Sequence, residues 1–255
     1  MKAMRTVLLI CFFISTADLS FAQITQPVGG TPYTPTHTYT GWTDPALNHN
    51  RLLQQRNEEG KYKLIGAYKV IGSSFLFGEK NKGDVFSATE KAYNISVSYN
   101  TFNQELEFYS TSNPDKPLVK EPGSLDSFII QQNKELGIGN PLKFIYGPLL
   151  GTSDKSYYLE VAAGERFTLY KRYKSELDYV STNYVQSELR QFNLEYVYFY
   201  ADKESKGLKK LKINASAIIK EFKSVKDLSG IINSDNLTVN QEDELRKIFE
   251  ALNSK

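Results

Sequence analysis

The chain has 255 residues, 24% of them charged, with 31 Lys+Arg against 29 Asp+Glu and a net charge of +2. So even a balance supplies neither the basic footprint that releases counterions from nucleic acid nor a polybasic membrane patch. One cysteine (Cys11) and two histidines (His37, His49), all near the N-terminus, exclude a Cys/His zinc site and leave little for thiol or Ser–His catalysis.

Lys2 and Arg5 precede an apolar run at 6–15 (TVLLICFFIS), and Ser20, Phe21 and Ala22 form a small-residue cleavage pattern ending between Ala22 and Gln23. The run is about half of the ~20 residues that span a bilayer, and no later segment approaches that length. Residues 1–22 therefore read as a signal peptide. The mature product, without cysteine or a transmembrane segment, reads as exported to the periplasm, the cell surface or the medium. No nucleic acid and no cofactor are expected; the expected partner is an envelope component, protein or glycan.

Residues 23–41 are rich in Thr, Pro and Gly and almost uncharged, a leader with too little apolar surface to offset its ordering entropy. A short helix is expected over 43–57, capped by Thr43 or Asp44 with Pro45 at its first position and Leu47, Leu52 and Leu53 on its apolar side. Leader and helix together make a segment over 23–60.

A β-rich domain is expected over 61–213. Tyr93, Ile95, Val97 and Tyr99 alternate with Asn94, Ser96, Ser98 and Asn100, the period of a strand with one buried and one wet face. With strands over 84–89 and 104–109 on either side, this reads as an antiparallel meander. Loops follow at 112–117 and 121–123. Further strands are expected at 124–131, 142–146, 157–163, 165–173, 193–200 and 208–213. Ala163 and Gly164 would turn a hairpin, with glycine supplying a positive φ. Gly137 and Gly139 read as a turn, since Leu142 and Pro141 break any dinucleotide-loop pattern.

Over 214–255 the period becomes helical. Asn214 caps a helix carrying Ile218, Ile219 and Phe222, and Ser224 with Asp227 resembles a capping box opening a helix toward Ile232. Asn240 caps a last helix with Leu245, Ile248, Phe249 and Leu252 on one face and Glu242–Arg246 and Asp243–Lys247 pairs beside it. This tail is amphipathic and is expected to pack on the β region.

Two patterns could carry chemistry. Glu105 and Glu107 point to one face of a strand about 6.5–7 Å apart, near the spacing of glycosidase carboxylates. The wet face of a meander strand, with Leu106 and Phe108 turned inward, produces the same pattern and is the simpler reading. Tyrosine is in excess, 17 in the chain, and Tyr196, Tyr198 and Tyr200 form a period-2 stripe. Core packing accounts for such a stripe, and a glycan or peptide platform of exposed rings is the alternative. Lys206, Lys209, Lys210 and Lys212 read as solvated strand ends.

The run Ile71 to Phe77 (IGSSFLF), the strand from Tyr93 to Asn100 with Thr101 and Phe102, the Glu105-Leu106-Glu107-Phe108 strand, the Tyr-rich strand from Glu195 to Tyr200 and the strand from Gly207 to Leu211 (GLKKL) together resemble a family of exported proteins of Bacteroidetes-type bacteria. The resemblance extends over most of 71–252. It implies a structural pattern and carries over no catalytic residue. The expected fold is α+β: a mainly antiparallel, curved β-sheet or partly open barrel with two or three short C-terminal helices. The function expected is a non-catalytic binding module. A carboxylate-dependent polysaccharide hydrolase and a carrier enclosing an apolar ligand are the alternatives.

Overall fold

A computed structural model describes residues 51–57, 61–110, 113–119, 123–180 and 189–254. The expected signal peptide, with its expected Ala22/Gln23 cleavage site, and the expected leader lie outside the described residues.

The described residues build twelve strands. They are β1 (Arg51–Arg56), β2 (Tyr62–Ile71), β3 (Phe75–Phe86), β4 (Lys91–Asn100), β5 (Glu105–Ser110), β6 (Asn113–Val119), β7 (Ser127–Ile130), β8 (Leu142–Tyr146), β9 (Tyr157–Ala162), β10 (Phe167–Tyr179), β11 (Leu189–Asp202) and β12 (Leu208–Lys210). Three helices follow, α1 (Ala215–Phe222), α2 (Asn236–Val239) and α3 (Gln241–Asn253). The strands form one sheet in the order β1-β2-β11-β10-β9-β8-β7-β3-β4-β5-β6, with β12 also on β11. Every pairing is antiparallel except β2 with β11. This is the expected α+β architecture, with an open sheet rather than a closed barrel.

The sheet is rolled. Four strands separate β4 from β10 in the sheet order, yet the β4–β5 turn is bonded to the middle of β10. Ser175 N–H donates to Thr101 C=O at 3.1 Å, and the Thr101 and Ser175 hydroxyls are 2.6 Å apart. Gln104 Nε2 donates to Tyr173 C=O at 2.9 Å. Thr101 N–H also reaches Ser74 C=O at 2.7 Å, so the start of β3 is tied into the same knot.

Three expectations are corrected. The second half of the helix expected over 43–57 is strand β1, and residues 43–50 lie outside the described residues. A helix with so small an apolar side gains less than a strand that completes a ladder with β2, from Arg51 opposite Tyr68 to Arg56 opposite Tyr62. The loop expected at 112–117 is largely β6. It lies at the sheet's edge, where Pro114 and Pro117 need not donate to a further strand. The capping box at Ser224 opens no helix: Asp227 accepts from Ser229 N–H and Oγ at 3.0 and 2.7 Å, which closes a local turn instead.

One face of the rolled sheet holds the main core. Tyr99, Phe128, Phe144 and Tyr157 form its aromatic centre, Phe128 stacking on Phe144 at 4.6 Å. The helices cover its other end, where Phe167 and Tyr200 meet Phe222 and Phe249. Asn214 caps α1 through a bond from Ala217 N–H at 2.7 Å. In α3 the expected face of Leu245, Ile248, Phe249 and Leu252 is buried, each side chain contributing about 1.5–3 kcal/mol of burial. The Glu242–Arg246 pair forms at 2.9 Å, while Lys247 turns to Glu244 at 3.8 Å instead of Asp243. A smaller core around Phe75 and Phe192, with Ile65, Val70, Phe102 and Leu177 against it, lies where β2 and the start of β11 meet the β4–β5 turn.

Candidate functional site: a polar cleft beside two buried carboxylates

Alternation along β5 correctly sets Glu105 and Glu107 against Leu106 and Phe108, but the carboxylate face is dry. Glu105 is 3% exposed and Glu107 is fully buried, at 0%. The hairpin of β1 and β2 reaches over this face. Tyr62 OH donates to Glu105 Oε2 at 2.6 Å, and Arg56 Nη1 meets the same oxygen at 3.2 Å. Asn103 Nδ2 completes the set at 3.4 Å from Oε1. Glu107 faces Tyr109, whose hydroxyl lies 3.4 Å from Oε2 and 3.4 Å from Ser98 Oγ. Burial, together with the neighbouring carboxylates, pushes the Tyr62 and Tyr109 hydroxyls well above the ordinary phenol range. The solvated-face reading of this strand is therefore corrected. A buried carboxylate needs partners, and the hairpin supplies them to Glu105.

Next to this cluster opens a cleft of about 460 Å³. Arg56 and Asn57 come from the end of β1, Asn103 and Gln104 from the β4–β5 turn, and residues 153–156 from the loop entering β9. Neither Glu105 nor Glu107 lines it. Its acid is Asp154, which pairs with Arg172, accepts from Tyr158 OH at 3.0 Å and from Ser156 Oγ at 2.6 Å. Burial pushes the Asp154 carboxyl upward, but Ser156, Arg172 and Tyr158 outweigh it and hold the pKa below the usual range. Tyr158 moves the other way, raised to about 12 by burial and by Asp154. Asn103 and Gln104 are fixed as firmly. Asn103 Oδ1 accepts from Arg56 N–H at 3.0 Å, and Gln104 spans Tyr99 OH, Thr101 C=O and Tyr173 C=O. The cleft wall is thus preorganised, with Arg56 and Asp154 each held by a charged partner and Lys155 exposed at the rim.

The tyrosine stripe divides. Tyr198 and Tyr200 are each 3% exposed, and only Tyr196, at 50%, reaches the surface. The platform of contiguous exposed rings is therefore absent from this stripe, because the helices cover that face of β11. Tyr200 OH bonds Glu221 of α1. Tyr196 and Tyr198 join Tyr173 around Lys171, whose Nζ lies 4.3, 5.3 and 4.9 Å from the three ring centres. Glu242 of α3 closes this cage at 3.0 Å. Sequence reasoning missed it. The signal is Lys171 itself, standing at an inward position between Leu169 and Tyr173.

A second groove, about 480 Å³ and mainly apolar, runs past Val85, Ala92, Ile95, Phe108 and Leu118 at the β6 end of the sheet. It lies on the surface and is not the enclosed chamber a carrier would need. Among the described residues no three His, Cys, Asp or Glu side chains gather as a metal site, and no described helix is long and apolar enough to cross a membrane. Compared with family models, with curated proteins and with solved structures, the chain matches none at a significant level.

Proposed function

We propose that the protein is exported to the cell envelope or beyond, in the manner of the Bacteroidetes-type family it resembles. There it acts as a non-catalytic binding module whose polar cleft takes a neutral, hydroxyl-rich ligand, a glycan segment. The carrying observation is the pairing of charges around that cleft. Arg56 is held by Glu105 and Asp154 by Arg172, so the inner wall offers rigid amides and hydroxyls beside compensated charges, with Lys155 as an exposed cation at the rim. The hydrolase reading loses support because both of its carboxylates are buried and neither lines the cleft.

The test is a panel of envelope and extracellular glycans presented to the mature chain, read by saturation-transfer NMR and then by calorimetry. A ligand should bind without being cleaved. Ser153→Trp, a change at an exposed rim position, should fill the cleft and weaken binding at least about tenfold. A ligand that binds the tryptophan variant unchanged, or a panel in which nothing binds, would overturn the reading.

A further inference from the structure

β11 is paired with β10 along nearly its whole length. Its other side is shared by two short partners. β2 lies beside residues 189–191, and β12 beside 199–201. Between them, among the described residues, no strand occupies the lane beside residues 192–197.

Backbone hydrogen bonds show which groups face that lane. On the β10 side, Leu189 C=O accepts from Val180 N–H, and Lys203 N–H donates to Arg166 C=O. On the far side, Tyr198 C=O accepts from Leu211 N–H at 2.9 Å. Along an antiparallel strand the N–H and C=O of one residue share an edge, and the edge alternates with each residue. Odd-numbered residues of β11 therefore serve β10, and Leu194 and Tyr196 turn both N–H and C=O into the lane.

Among the described residues the sheet's outer edges are protected and this one is not. β6 carries Pro114 and Pro117. β1 is tied down by Asn103, which takes Arg56 N–H and donates to Gln54 C=O. The stretch from Asn193 to Val197 has neither proline nor, among the described residues, a side chain bonded across it. β2 and β12 also close the lane at both ends. A second copy's β11 cannot enter, because its own flanking strands would collide with these. What fits is a linear segment about six residues long, roughly 20 Å when extended. The end at β12 is basic, since Lys209, Lys210 and Lys212 are all exposed there.

We propose that the lane beside β11 binds an extended, linear segment of a partner protein by strand addition, with acidic residues at the end that meets β12. This is independent of the glycan cleft, and failure of either leaves the other standing.

The test uses the mature chain as bait for a displayed library of random linear peptides, with the selected peptides then measured singly by fluorescence anisotropy. Peptides acidic at one end should be enriched. Adding one should slow hydrogen exchange at the Leu194 and Tyr196 amides, while Asn193, Glu195 and Val197, bonded to β10, are already slow. Tyr196→Pro removes a lane-facing donor and spares the β10 ladder, so it should weaken binding at least about tenfold. Lys209→Glu with Lys210→Glu should do the same for acidic peptides. Three results would overturn the proposal. One is that no peptide is selected. Another is binding indifferent to Tyr196→Pro with no change in Leu194 and Tyr196 exchange. The third is protection of those two amides in the unliganded chain that disappears when residues 23–50 are removed, since the lane would then be filled by the protein itself.

Discussion

Asn253, the last residue of α3, should be one of the most expensive polar side chains to remove. Its Oδ1 accepts from Arg166 N–H and Phe167 N–H, both at 2.9 Å, and its Nδ2 donates to Phe167 C=O at 2.9 Å and Phe249 C=O at 2.7 Å. One amide thus ties the end of the helix to the start of β10. Net contributions of about 0.5–1.5 kcal/mol per bond, reduced where water can replace the amide, put Asn253→Ala at about 2–4 kcal/mol of lost stability. Gly164 makes the argument sharper. It is absent from the glycines with left-handed φ, so the positive φ expected at this hairpin is not what requires it. Glycine is needed because a Cβ there would overlap the Asn253 amide. Gly164→Ala should displace that amide and lose the same bonds, again about 2–4 kcal/mol. The two changes remove one set of interactions, so the double variant should cost little more than either single one. Urea unfolding at 25 °C, extrapolated to water, measures all three. Additive losses, or an Asn253→Ala loss under about 0.5 kcal/mol, would refute this reading of the helix terminus.

Two further outcomes follow from the ionisable groups. Burial alone would raise the carboxyls of Asp154 and Glu242. The facing Arg172 and Ser156 in the first case, and Lys171 and Arg246 in the second, depress them instead. A depressed folded pKa adds stability above the unfolded value, near about 4, and that stability is lost as pH falls through the folded value. Stability should therefore be flat above about pH 5 and fall below about pH 4; Glu242→Gln should cost about 1–2 kcal/mol at neutral pH and flatten the acid slope. Tyr158 and Tyr170 are raised to about 12, first by burial and then by Asp154 and Glu160. Here the sign reverses. Their contribution is complete below the unfolded value, about 10, and disappears as pH rises toward 12. Ultraviolet titration should find both still protonated at about pH 11, with alkaline unfolding releasing them together. Their ionisation in the folded protein at about pH 10 would contradict their burial.

Many of the strand positions along the chain were legible because period-2 alternation survives wherever pairing is regular. Leu142 to Tyr146 is a strand as expected, and β4 contains the Tyr93–Tyr99 alternation. β3 was legible only at its end, over 84–86, and the reason is local. Four residues, Phe77 to Lys80, intervene between the pairs Leu76 with Tyr99 and Asn81 with Val97. Phe77, Gly78 and Lys80 take φ of 59°, 77° and 57° within that bulge. Such a bulge shifts the face of every later side chain, so the strand has no single alternation to read. β1 and β6 were missed for the opposite reason. Each is an edge strand whose own pattern is weak, and each is extended because a neighbour offers a ladder.

Alternation reports which residues share a face; it does not report what covers that face. On β5, Glu105 and Glu107 share one, and only the roll of the sheet brings Arg56 and Tyr62 across it. On β11, Tyr196, Tyr198 and Tyr200 share another, and only the docking of α1 and α3 buries two of the three. Both stripes were visible, and in both the covering element is a separate element that the stripe's own pattern does not reveal. The cleft was not legible for the same cause. Its walls come from β1, the β4–β5 turn and the loop before β9, segments without a common motif. Their side chains become a site because backbone bonds at Thr101 and Ser175 close the roll and hold Asn103 and Gln104 beside Asp154. That gives the cleft a rigid frame independent of any ligand. Substitutions at its exposed rim should therefore change binding with little effect on folding, whereas substitutions at Thr101 or Ser175 should change both together.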